Sequence, residues 1–321
     1  GYDVMTRIST FSQGQSLLTQ MLRNQEYMRE QQTRVATGKN GDDLKSISRE
    51  SSILLFSRTV SARTDSFMQA NKELENRLEL QNSALAGIGE IADELRNDLI
   101  KTVNLNSGVG LVANMTNHME QLIGLLNTTL NGNFLFGGTR SDTSPINVSN
   151  TTELLALTTT ADAFDNNAVK LTQRLDENRV LEYGVLASDI AQPLLDSIRR
   201  IQQFENGTLP TGAAAFAPAG SFTDPLAANQ VDFLVGEFSA AVTAITTVRN
   251  AEQSNGLNMS AVENQLTRQQ EEINFLDVFV AQIENADIAE AVTNMKAGET
   301  ALTASMQVIA RLGRLSLLDY I

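Results

Sequence analysis

Apolar residues recur every seven positions along both flanks of this chain, with partners three or four places on. From Leu74 one seam runs through Gln81, Ile88 and Leu95, with Leu78, Leu85, Ala92 and Leu99 between them. That is the a/d pattern of packed helices over about four heptads. Asn104–Gly110 interrupts it with Asn, Ser and Gly, and it resumes as Val112, Met115, Met119, Leu122 and Leu126, which predicts a helical hairpin or a kinked long helix. Beyond the middle, Met259, Leu266, Ile273 and Val280 repeat with Val262, Leu276 and Ile283 as partners. A last seam reads Ile288, Met295, Leu302, Ile309, Leu312, Leu315 and Leu318. At the other end, Ile8, Phe11, Leu18, Met21, Leu22, Met28 and Val35 form an amphipathic stretch that stops at Thr37-Gly38.

Proline placement divides the chain. Pro145, Pro193, Pro210, Pro218 and Pro225 all lie in the middle. Proline costs ~3 kcal/mol inside a helix, so the proline-free flanks read as continuous helix and the middle as an insertion. From about Thr139 to Ala187 Thr and Ser become dense, and the runs Leu154–Leu157 and Val180–Leu186 suit strands between turns at Asp165-Asn166-Asn167 and Asp176-Glu177-Asn178. Ile190–Phe204 reads as a helix with Pro193 in its first turn. Residues 206–226 hold three prolines, three glycines and an alanine cluster, and read as a loop or linker. Val231, Leu234, Phe238, Ala241, Ile245 and Val248 return to helical spacing. The fold class is mainly α: a long coiled-coil-like bundle made from the N- and C-terminal segments, with a small β-rich inserted domain.

Each outermost seam covers ~35 residues, or ~50 Å as helix. A lone helix pair cannot bury both sides of its seams, and ordering the backbone costs ~1–2 kcal/mol per residue. Both ends are therefore expected to be largely unfolded in the monomer and to fold against neighbouring subunits. The expected assembly interface is Ile8, Phe11, Leu18 and Leu22 with Ile288, Met295, Leu302, Ile309, Leu312 and Leu315. The corresponding division places terminal assembly helices at 5–40 and 286–321, a helical bundle at 41–139 and 188–285, and the insertion at 140–187. Gly1–Val4 are expected to be a leader foreign to the natural chain, with the natural start at Met5.

Composition narrows the chemistry. Asp and Glu number 38 against 24 Lys and Arg, a formal charge of −14, which speaks against nucleic acid or an anionic membrane surface as a partner. The sequence has no cysteine and one histidine, so disulfides, thiolate catalysis, Cys/His zinc sites and His-Glu-x-x-His are excluded. His118 lies beside the Val112–Met119 seam and reads as a helix-face residue. Thr37-Gly38-Lys39-Asn40 lacks the first glycine of a phosphate-binding loop and reads as a turn. Asp42-Asp43 and Asp162/Asp165 match no calcium loop. No apolar run approaches the ~18 residues of a membrane span; Ile53–Phe56 and Val278–Ala281 are typical of the longest. These features point to a soluble non-enzyme without catalytic, cofactor or metal residues.

Several motifs carry a resemblance. Arg7-Ile8-Ser9-Thr10, then Thr37-Gly38-Lys39 followed by Asp42-Asp43, are similar to the opening helix and Gly-Lys…Asp-Asp turn of the flagellin superfamily. Asn133-Phe134-Leu135-Phe136-Gly137-Gly138-Thr139 resembles the Phe-Gly-Gly-Thr segment of its hook–filament junction branch. Ile283 through Ala291, and Gln307 through Ser316-Leu317-Leu318-Asp319-Tyr320-Ile321, look like the family's terminal motif. The resemblance covers roughly 5–140 and 250–321. Leu44 stands where junction proteins often have proline, and Arg249–Gly256 is longer than the family's tight Arg-to-Gly turn.

The resemblance implies terminal helices lining a tubular assembly, an outward-facing insertion, and export in an unfolded state through the flagellar type III apparatus. It implies hook-associated protein 1 and flagellin as partners, a ring of copies of the chain itself, and an export chaperone on the C-terminal segment. The location implied is extracellular, at the hook–filament junction. A filament-forming flagellin is the second expectation, and an adhesin with binding activity in the insertion is a more remote third.

Overall fold

The computed structural model describes the backbone of residues 3–40 and 51–318 and the side chains of residues 15–40 and 51–311. Asp42, Asp43, Leu44 and the final Asp319-Tyr320-Ile321 lie outside the described residues. The chain forms two compact units, residues 65–270 and residues 1–64 with 271–321.

In chain order α1 (Asp3–Thr37) comes before the 65–270 unit, and α2 (Ser51–Leu105) and α3 (Leu111–Leu126) follow. Leu74, Leu78, Gln81, Leu85, Ile88, Ala92, Leu95 and Leu99 of α2 are all buried, as the heptad pattern requires. The Asn104–Gly110 break is a hairpin. Ser107 N donates to Thr102 O at 3.2 Å, Asn106 has a left-handed φ of 50°, and α3 returns with Leu111, Met115, Met119, Leu122 and Leu126 buried. His118 is not a surface residue: it is 6% exposed, and its Nε2 lies 2.9 Å from Asp98 Oδ2 on α2.

After α3, β1 (Thr129–Leu130) and β2 (Asn133–Phe134) pair antiparallel across Asn131-Gly132. Both turn residues have positive φ, 53° and 81°, as two-residue hairpin loops prefer. The Leu154–Leu157 run does not make a strand; it falls in α4 (Thr151–Ala156) and its C-cap. Asn150 Oδ1 accepts from Glu153 N at 3.0 Å and Glu153 Oε2 accepts from Ser149 N at 2.7 Å, and this local capping starts a helix. A 3-10 turn at Thr160–Ala163 follows. Then β3 (Leu171–Arg174) and β4 (Val180–Tyr183) pair from Leu171↔Tyr183 to Arg174↔Val180. Ile146, Val148, Leu154 and Ala163 join the same core as α2 and α3, so the segment encloses no separate core.

The β3–β4 hairpin docks with Leu175 and Tyr183 against Leu74, Leu78 and Val262. Its turn carbonyl, Leu175 O, accepts from Asn71 Nδ2 at 2.9 Å and Gln269 Nε2 at 2.8 Å. Next comes α5 (Ala187–Glu205), in which Pro193 is the seventh residue and not part of the first turn. Residues 206–226 form a loop, but not a free linker. Phe222 stacks on Phe204 (5.4 Å between ring centroids), Phe204 stacks on Phe233 (4.3 Å), and Phe216 meets Phe233 edge-on (5.9 Å). Asn229 Nδ2 donates to Phe216 O and Pro218 O, each at 2.9 Å, holding the loop over that cluster.

The chain continues as α6 (Ala228–Glu284), unbroken for 57 residues. Arg249–Gly256 is therefore helix, with Asn255 buried and its Nδ2 donating to Leu78 O at 2.9 Å. One stretch of α6 is long and apolar enough on average to cross a membrane, although no single run showed it. Phe233, Leu234, Ala241, Ala244, Ile245 and Val248 of α6 are buried in the 65–270 core, which accounts for that apolarity in part. The last element is α7 (Ile288–Leu318).

Candidate assembly surface on the terminal helices

In the unit made of residues 1–64 and 271–321, α1 and α7 pack along one another. The chain turns that set up this pair are closely tied. α1 stops at Gly38, whose φ of 71° suits glycine at a helix C-terminus. Lys39 then bridges Asn285, Ala286 N donates to Gly38 O at 2.9 Å, and Asn40 N donates to Glu284 O at 2.8 Å. Asn40 Nδ2 also reaches Ile283 O and Asn285 O at 2.9 and 3.0 Å. Glu284 pairs with Lys39 at 3.0 Å and with Arg58. Asp287 caps α7: its Oδ1 accepts from Ala289 N and Glu290 N at 2.9 and 3.0 Å. Thr37-Gly38-Lys39 and Ile283 through Asp287, far apart in sequence, are one junction. It is made of backbone, amide and carboxylate hydrogen bonds together with the Glu284 ion pairs.

The helix pair buries little. Gln31, Ala291 and Gly298 are its buried residues among those whose side chains are described. Gly298 faces Met28 and Tyr27, and an added Cβ would stand at ordinary contact distance from both. Of the sequence-predicted interface, Leu18 (49%), Leu22 (55%) and Ile288 (43%) are exposed, and Met295, Leu302 and Ile309 are half-buried. Ile8, Phe11, Leu312 and Leu315 lie on α1 and α7, but their side chains fall outside the described residues. Met306 and Val308 add to the exposed apolar surface. By contrast, Phe136, Phe204, Phe233 and many aliphatic residues in the 65–270 unit are fully buried.

The seams did not point to a second exposed set in this unit. Phe56 and Phe275 are each 70% exposed, with Leu55 and Val278 also exposed, and Phe275 stacks on Phe279 at 6.4 Å. Their signal was present in the short apolar runs Ile53–Phe56 and Val278–Ala281. Four adjacent apolar residues on a helix point in all directions and cannot all face one partner.

Residues 238–321 match the family model for the bacterial flagellin C-terminal helical region. Among solved structures, a protein assigned as a flagellar hook-associated protein of Vibrio parahaemolyticus superposes with a TM-score of 0.56 at 16% identity, covering 76% of this chain and 99% of its own. FlgL of Bacillus cereus superposes with a TM-score of 0.50 at 13% identity, covering 71% and 99%. No curated protein sequence matches. Residues 238–321 thus resemble the bacterial flagellin C-terminal helical region, and the chain shares its fold with these two solved structures.

Proposed function

We propose that this chain is a structural adaptor of the bacterial flagellum that joins the hook, through hook-associated protein 1, to the flagellin filament. In this proposal it forms a ring with copies of itself, and α1 and α7 are the assembly helices. It leaves the cell unfolded through the flagellar type III apparatus, with a chaperone on its C-terminal segment, and its ends finish folding where it is installed. The carrying observation is the contrast in burial. Residues 65–270 fill their own core, whereas α1 and α7 pair yet leave Leu18, Leu22 and Ile288 exposed. Transferring such side chains from water gains about 1.5–3 kcal/mol each, which only further subunits can supply.

Ile309→Asp tests it. The half-buried Ile309 contributes nothing to the 65–270 core, so the variant is expected to keep that unit's unfolding midpoint while losing incorporation into flagella. Normal filament attachment by the variant would remove α7 from the interface. A filament-forming flagellin is the second possibility, because the matched C-terminal region is named for flagellin. Imaging of a deletion strain separates the two. Bare hooks with flagellin lost to the medium support the adaptor, and a nearly normal filament supports a minor flagellin.

A further inference from the structure

A polar cleft of about 340 Å³ opens between α2 and α3, lined by Glu94 and Asp98 from one helix and Asn114, His118 and Gln121 from the other. Glu94 and Asp98 are one helical turn apart, so both face α3. His118 is 6% exposed, and its two ring nitrogens have different surroundings. Nε2 sits 2.9 Å from Asp98 Oδ2. An ionised carboxylate only accepts, so Nε2 carries the proton. In the neutral ring Nδ1 is then left with a bare lone pair, and it is buried and without a hydrogen-bond partner. It faces Glu94 Oε2 across 3.7 Å, beyond hydrogen-bond range. Two electron-rich atoms thus confront each other across a gap that a cation would fill.

We propose that this cleft binds a divalent transition-metal ion of the zinc type through His118 Nδ1 and Glu94 Oε2, with Asp98 as the positioning residue. Zinc bonds of ~2.1 Å to each atom span such a gap at an angle of about 120°, within the range of tetrahedral and five-coordinate sites. A carboxylate on the far nitrogen of a metal-binding histidine fixes its tautomer and strengthens its lone pair, and Asp98 holds that place. Imidazole with carboxylate favours zinc, copper or nickel over magnesium or calcium. Among the described residues no three His, Asp or Glu side chains form a ligand group, so water completes the coordination, with the Asn114 and Gln121 amides alongside. The bound ion would fasten the two arms of the hairpin.

The test uses the untagged full chain and zinc ion. Because the sequence holds a single histidine, every imidazole signal in a long-range proton–nitrogen NMR spectrum belongs to His118. At fixed neutral pH, one equivalent of zinc is expected to move the Nδ1 resonance while Nε2 stays protonated, and magnesium is expected to move neither. Glu94→Gln, on a side chain 61% exposed and so harmless to folding, is expected to weaken zinc binding at least tenfold. Asp98→Asn is expected to weaken it about 10–100-fold. No response of either nitrogen to millimolar zinc would overturn the proposal, as would unchanged affinity in Glu94→Gln. A shift produced by acid but not by zinc would also overturn it, in favour of an imidazolium bridging Glu94 and Asp98.

Discussion

Replacing Gly138 with alanine probes the point where the β1–β2 segment turns into the middle of the chain. Gly138 has a φ of 65°, where an L-residue with a Cβ loses ~1–2 kcal/mol. An added Cβ would lie 2.5 Å from Asn167 Oδ1, 2.7 Å from Val169 O and 2.9 Å from Leu186 Cδ2. The second of these is main chain and cannot swing aside, so the 167–169 backbone must retreat. Its retreat stretches the bifurcated bond that Thr139 N donates to Val169 O and Asn167 Oδ1, both 3.1 Å, at a net ~1 kcal/mol. Together the loss comes to about 2–3 kcal/mol. Tyr183 is the one tyrosine within residues 65–270, and it is buried, so tyrosine near-ultraviolet dichroism during urea unfolding reports on this unit. With slopes of ~1–3 kcal/mol per molar urea, the midpoint is expected to fall by roughly 1–3 M. Gly124→Ala is the control in the same unit: it sits exposed in α3, an added Cβ meets nothing within 4 Å, and it is expected to gain ~0.5–1 kcal/mol. A Gly138→Ala midpoint equal to that of the parent would mean that the close approach of residues 138 and 169 does not exist in solution.

Asn71→Ala removes one of two amides on Leu175 O and leaves Gln269 to hold the other bond, for an expected loss of ~1–2 kcal/mol. Amides of residues 171–183 should then exchange faster with deuterium, and unchanged protection would show that the hairpin is held by Leu175 and Tyr183 alone. Glu237 is 3% exposed and bonded to Arg200 Nε at 2.8 Å; burial raises its pKa above the ordinary glutamate value, with Arg200 opposing. The folded state therefore holds this proton more tightly than the unfolded chain, a stabilising contribution complete below the unfolded pKa and lost as pH rises through the folded one. Relative to non-titrating Glu237→Gln, the parent's stability is expected to decline as pH climbs out of the ordinary carboxylate range. A pH-independent difference between the two urea midpoints would contradict it.

The helices of the 65–270 unit were legible because their period and partners lie in the same chain. Every residue of the Leu74–Leu99 seam is buried, including Gln81, whose Nε2 donates to Leu135 O at 3.2 Å. What period alone could not decide was settled by local chemistry. A four-residue apolar run such as Leu154–Leu157 reads equally as strand or helix, and the Asn150/Glu153 cap tips it to helix. In 206–226 the Gly, Pro and Ala content concealed Phe216 and Phe222, which are the residues that bind the loop to the core. His118 lies one place from the seam residue Met119. Its partner Asp98 became visible only once the hairpin fixed the register of α2 against α3.

The terminal helices mark a different limit. The seams of α1 and α7 look the same in sequence as that of α2, because heptad spacing says that a face will be covered and not by which chain. The distinction comes from the number of partners. The α2 seam is enclosed by elements from α3 to α6, whereas α1 has α7 along its length, and Leu18 and Leu22 stay exposed. Phe56 and Phe275 sharpen the point, since they lie off the seams and are each 70% exposed. In the proposed assembly those exposed side chains, rather than the heptads of the two ends, are the apolar area that a neighbouring subunit would cover.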